Sequence, residues 1–155
     1  MPGFNIRVEG IEESIKDVED EQKAYENAIR KAVIELFRRV ILNTPVDKGQ
    51  ARANWQASIN SPISSILNED DPAGSTAVNK MVNIVLAKKD VSEAVFWLSN
   101  NLPYIDVLEY GQFPNPPKGG TGKTQGGFSI QAPNGMVRKA LQELEGIIRE
   151  VSREL

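Results

Sequence analysis

Asn100-Asn-Leu-Pro-Tyr-Ile-Asp-Val-Leu-Glu-Tyr-Gly111 holds two tyrosines, a proline and two acids in twelve residues, between an apolar run and a Gly/Pro-rich one. Pro103 suits the first position of a helix, and Tyr104, Ile105 and Leu108 share a face, so a helical turn is predicted over residues 103–110 with Gly111 ending it. Just upstream, residues 93–99 are short, aromatic and β-branched, the composition of a central strand. A partner for it starts at Ala51, where Ala53, Trp55, Ala57 and Ile59 alternate with Asn54, Gln56, Ser58 and Asn60. Paired, the two strands would each offer a tryptophan to one core.

Helical periods surround this sheet. From Ile11 to Asn43, apolar residues including Val18, Tyr25, Ile29, Val33, Phe37 and Val40 recur at spacings of three and four. The first half of that helix is dominated by charge, so the half from Ala24 to Leu42 is expected in the core. Unbroken from Ile15, it would run about 43 Å against a domain diameter of about 38–40 Å, so it breaks near Asp20 or one end overhangs and meets a neighbour. Thr44-Pro45 stops it, since the residue before proline is pushed out of the α region. Residues 61–74, with two prolines and the run Glu69-Asp70-Asp71, read as a loop, with Asp71 or Ser75 to cap the next helix. That middle helix, over residues 75–88, is indicated by Val78, Met81, Val82, Val85 and Leu86, whose period outranks their β-branching. Residues 112–127 carry three prolines and five glycines in sixteen residues and are expected to be a mobile loop. Phe128 and Ile130 suit a short strand. Asn134 then caps a last helix carrying Val137, Leu141, Leu144, Ile148, Val151 and Leu155 as its apolar stripe. Phe4, Ile6 and Val8 alternate as a short edge strand at the start. The expected architecture is α+β: a small antiparallel sheet packed by a long N-terminal helix, a middle helix and a C-terminal helix, in one domain of 155 residues.

Composition removes most chemistry. With no cysteine and no histidine, disulfides, thiolate nucleophiles, the usual zinc sites and imidazole acid–base work are excluded. Eighteen basic against 21 acidic residues leave a net charge of −3, without the basic footprint that phosphate neutralisation needs. Residues 1–10 lack the apolar core of a signal peptide, and no apolar run is long enough to span a bilayer, so use in solution without a membrane is expected.

Three local patterns invite a chemical reading. Gly119-Gly-Thr-Gly-Lys-Thr124 ends like a phosphate-binding loop, but Pro117 stands where the first glycine belongs and Gln-Gly-Gly comes next where a helix should start. A nucleotide-binding protein using residues 119–124 is therefore the alternative, with a flexible loop as the plainer reading. Asp106 and Glu109 share a helical face, the minimum for a carboxylate pair, but with no histidine or other polar partner evident nearby a solvated or salt-bridged face is the better reading. The acidic run at residues 69–71 lacks the alternating ligands of a calcium loop, and Ser75 with Lys80 has nothing to support it as a nucleophile pair. No catalytic residue, cofactor or metal is expected. Tyr104, Tyr110, Phe113 and Phe128 flank the loop and suit either a protein interface or satellite packing.

Thr44-Pro-Val-Asp-Lys-Gly-Gln-Ala-Arg-Ala-Asn-Trp55, the stretch from Asn100 to Gly111, and Gln131-Ala-Pro-Asn-Gly-Met-Val-Arg138 together resemble, in the same order, the tail-completion (neck, tail-to-head joining) and minor tail proteins of long-tailed bacteriophages. Lys48 departs from the commoner Thr or Ser, and the loop at 112–127 is richer in Pro and Gly than the family form. The resemblance implies a non-enzymatic virion protein, made in the bacterial host cytoplasm and assembled as a ring, hexameric in that family, that completes the tail or joins it to the head. Its implied partners are its own copies, the tail tube protein and the head connector or head-closure protein, with DNA only as passing cargo. Asp106, Glu109 and Gly111 from the second block, and Gln131 and Arg138 from the third, join the four aromatics as the expected subunit interface. A monomeric adaptor or inhibitor of a host protein is the remaining alternative.

Overall fold

The long helix α1 (Glu12–Asn43) runs unbroken for 32 residues, about 48 Å at 1.5 Å per residue. Of the two expected outcomes, the overhang is the one realised: the side chains of residues 16–25 are all exposed, and burial deepens only toward Val40 and Ile41. The computed structural model describes residues 12–111, 124–125 and 128–155. The alternating stretch at residues 4–8 lies outside them.

α1 ends where Thr44-Pro45 requires. Its last carbonyls find a partner in Arg52, whose guanidinium donates to Leu42 O at 2.8 Å, Thr44 O at 2.9 Å and Pro72 O at 2.7 Å. A guanidinium there satisfies orphaned helix-end carbonyls and complements the negative end of the dipole. Arg52 sits in a four-residue helix, α2 (Gln50–Ala53), which corrects the strand expected to start at Ala51. The alternation of small residue and tryptophan is shared by both backbones. Gly49, at φ 98°, and its carbonyl, which accepts from Ala53 N, decide for the helix.

The strand proper is β1 (Gln56–Ile59), paired antiparallel with β2 (Phe96–Ser99) in the register Gln56↔Ser99, Ala57↔Leu98, Ser58↔Trp97, Ile59↔Phe96. The pairing is as expected, but the shared use of the tryptophans is not. Trp55 is 8% exposed, whereas Trp97, opposite Ser58, is on the outer face and 40% exposed. Period 2 allows only one alternative, and Phe96 and Leu98 take the inner face.

α3 (Ser75–Ala87) matches its predicted span and buries Ala77, Met81 and Val85, packing on β1 and on α1. Asp71 caps it as expected, Oδ1 accepting from Gly74 N at 3.0 Å and Oδ2 from Ala77 N at 2.9 Å. The core gathers Ile41, Trp55, Met81, Val85, Met136 and Ala140, with Ile105 and Leu108 of α4 (Ile105–Tyr110) packed against it. Each fully buried Ile, Met or Val there contributes about 1.5–3 kcal/mol.

Within residues 112–127, only Thr124 and Gln125 are described. They form β3 (Thr124–Gln125), paired with β4 (Phe128–Ser129), so the expected loop gives way to a strand at its end. The C-terminal segment is two helices, α5 (Val137–Gln142) and α6 (Leu144–Ser152), meeting at Glu143. Its stripe is split. Ala140 and Ile147 face the core, whereas Leu141, Ile148 and Leu155 are each at least 50% exposed. Lys31–Glu154 and Arg39–Glu143 ion pairs set α6 antiparallel to α1. Among the described residues no helix is long and apolar enough to cross a membrane.

Candidate functional site

The three sequence blocks meet in space. In the first, Thr44 Oγ1 donates to Val40 O and accepts from Trp55 Nε1, both at 2.8 Å, which ties the end of α1 to the indole below it. The second block docks on the first: Asn100 Nδ2 donates to Ala51 O at 2.9 Å, and the Tyr104 hydroxyl donates to Gln50 Oε1 at 3.1 Å. Burial, with Asp70 and Asp47 nearby, raises the Tyr104 hydroxyl above its usual pKa and keeps it a neutral donor. The third block reaches the first through Gln131 Oε1, which accepts from Val46 N at 3.3 Å.

The strongest joint links the second block to the third. Glu109, on α4, is only 6% exposed, and its carboxylate faces the first turn of α5. Oε2 accepts from Met136 N at 2.7 Å and Val137 N at 2.9 Å, while Oε1 accepts from Arg138 N at 3.0 Å and Arg138 Nε at 3.1 Å. The same guanidinium donates to Glu109 O and lies 5.4 Å over the Tyr110 ring. Burial alone would raise the Glu109 pKa; the backbone N–H groups of Arg138, Val137 and Met136, with the Arg138 side chain, outweigh it and hold the carboxyl below its ordinary value.

This joint corrects two expectations. Asn134 does not cap the last helix, whose N-cap is Met136 without any side-chain cap of its own; the acceptor arrives from Glu109, 27 residues upstream of Met136. Asp106 and Glu109 are not alike either: Asp106 is exposed, whereas Glu109 is buried and ion-paired. Gly135, at φ 74°, completes the fit, because a Cβ there would lie 2.6 Å from Glu109 Oε1.

Six of the nine predicted interface residues fall into two groups. Tyr104 and Gln131 line a cleft of about 430 Å³ with Pro45, Gln50 and Leu108. Asp106, Glu109 and Tyr110 line another, of about 510 Å³, with Trp97 and Val137. Arg138 joins the second group through Glu109, Phe128 is half-buried in β4, and Gly111 closes α4 at φ 69°. Phe113 lies outside the described residues. Sequence reasoning missed Arg52, Asn54 and Asn100 as joint residues. Asn54 is fully buried, its Nδ2 donating to Gln50 O and Leu67 O while Oδ1 accepts from Leu67 N. The signal available was their position inside the three blocks.

Chemically, the joint consumes its own polar groups. Among the described residues every buried side-chain N or O has a hydrogen-bond partner, and no cluster of three or more acids is placed to hold a metal ion. Thr124, the last residue of the phosphate-loop-like stretch, sits in strand β3 where such a loop would lead into a helix. No family model, curated protein or solved structure matches the chain.

Proposed function

We propose that this chain is a structural subunit of a bacteriophage virion, forming a ring that completes the tail or joins it to the head connector. The observation that carries the reading is the convergence of the three ordered blocks. Thr44 to Trp55, Asn100 to Gly111 and Gln131 to Arg138 carry the sequence resemblance, and hydrogen bonds such as Asn100 to Ala51 O, Gln131 to Val46 N and Glu109 to Met136 N join them. On this reading the blocks mark the skeleton of a subunit, and its outer surface meets copies of itself, the tail tube and the connector. An acidic chain suits a conduit, since few cations would hold passing DNA. The overhanging amino half of α1 gives a subunit reach toward a neighbour.

Light scattering and negative-stain imaging of the purified protein at high concentration test the proposal. Rings or stacks of rings of one diameter are expected. A monomer at every concentration overturns it.

A further inference from the structure

Two exposed apolar stripes lie on different parts of the molecule. One is on the overhang of α1, where Val18 and Tyr25 are 61% and 62% exposed and continue, through Ile29, the seam that packs α1 into its own core. At 100° per residue, Asp17 and Glu21 flank it on one side and Glu19 on the other, all exposed. The other runs along α5 and α6, where Leu141, Ile148 and Leu155 succeed one another at seven-residue spacing, with half-buried Leu144 and Val151 between. Arg149 and Arg153 lie on its outer flank; Arg149 pairs with Glu145 one turn away, and such an exposed pair is worth at most about 1 kcal/mol, so it re-pairs readily.

We infer that the amino-terminal overhang of α1 from one copy docks along the α5–α6 stripe of the next. This rests on the ring reading and names its interface. The spacings agree: Val18 and Tyr25 are seven residues apart, as are Leu141 and Ile148. Leu141, Leu144, Ile148 and Val151 repeat at threes and fours, the spacing that admits the side chains of a facing helix. The charges are complementary: Asp17, Glu19 and Glu21 flank one stripe, and Arg149 and Arg153 outnumber Glu145 on the outer flank of the other. Within one chain α6 already packs antiparallel on α1 and reaches the level of Ala24, which lines a cleft together with Val151 and Leu155. A second chain would extend that packing. Because the two surfaces differ, the contact is head-to-tail, the kind that propagates into a ring or a filament.

The chain has no cysteine, so an introduced pair is the only thiol pair present. Val18→Cys with Ile148→Cys, oxidised in dilute solution, is expected to give a ladder of dimer, trimer and higher species, while either single variant gives none. Reversing charge with Asp17→Arg and Glu21→Arg should weaken assembly at least tenfold, and Arg149→Glu with Arg153→Glu should restore it. A wild-type protein that assembles while the double-cysteine variant gives no ladder overturns this interface and leaves the ring standing. Cross-linking of Val18→Cys to itself overturns it in favour of symmetric pairing. A wild-type protein that stays monomeric, with no ladder, overturns both.

Discussion

Replacing Glu109 should separate the two halves of the joint. In Glu109→Ala, the N–H groups of Met136, Val137 and Arg138 lose their acceptor, and Arg138 loses its carboxylate partner. Hydrogen bonds to a charged group contribute about 1.5–3 kcal/mol each, but the four share one carboxylate and do not add. Arg138 is 42% exposed and meets water once its partner is gone, so the expected loss is that of leaving the helix-end N–H groups without an acceptor, about 1–3 kcal/mol. It is a substantial part of the 5–15 kcal/mol typical of a domain. With an m-value of about 2 kcal/mol/M, the urea midpoint should fall by about 0.5–1.5 M. Glu109→Gln keeps the volume and one acceptor oxygen, so about half that fall is expected. The pH dependence has a fixed sign. Because the folded pKa lies below the unfolded one, the stabilisation is fully present above the unfolded value of about 4.3 and is lost as pH falls through the folded value. The gap between wild type and Glu109→Gln should therefore close on acidification. Urea titrations monitored by far-ultraviolet circular dichroism at neutral and acid pH measure both effects. A midpoint change under about 0.3 M for Glu109→Ala, or a gap that widens as pH falls, would refute the reasoning.

Gly135→Ala drives a Cβ to 2.6 Å from Glu109 Oε1 at positive φ, and should cost about 2–4 kcal/mol by the same urea assay, less in a Glu109→Ala background. Gly49→Ala should cost more, because its Cβ would lie 2.3 Å from Pro72 N and the obstacle is backbone that no rotamer change moves. Thr44→Val leaves the buried Trp55 indole N–H without its acceptor and should cost about 1–3 kcal/mol in thermal or urea unfolding, whereas Thr44→Ser should stay close to wild type. Acrylamide should quench about half of the tryptophan emission readily, and Trp97→Phe should remove that accessible half, leaving the blue-shifted signal of Trp55.

The parts of the fold that were legible in the sequence are those governed by periodicity. Met81 and Val85 on α3, the stop at Thr44-Pro45 and the pairing of β1 with β2 all come from local pattern and steric rule. The failures share a cause, which is a long-range partner overriding a local signal. Ala51 to Ala53 look like strand until Arg52 is seen bound to the end of α1 and to Pro72. Asn134 looks like a cap until Glu109 fills the role from another element. Glu109 itself was visible only as one of two acids three residues apart, a spacing that says nothing about a helix that begins 28 residues later. The C-terminal segment is helical as its apolar spacing implies, but it is two helices meeting at Glu143 and not one, and spacing does not say which part of a wide stripe faces inward.

The Glu109–Arg138 clasp also fixes how this chain can vary. It pins the two ends of the span from Tyr110 to Val137 by bonds made between the ends themselves. Closure of that span is therefore set by the clasp, and doubling its length would add only about 0.6 kcal/mol of closure entropy. The Glu109–Arg138 geometry thus tolerates a change in the length of the chain between its two ends.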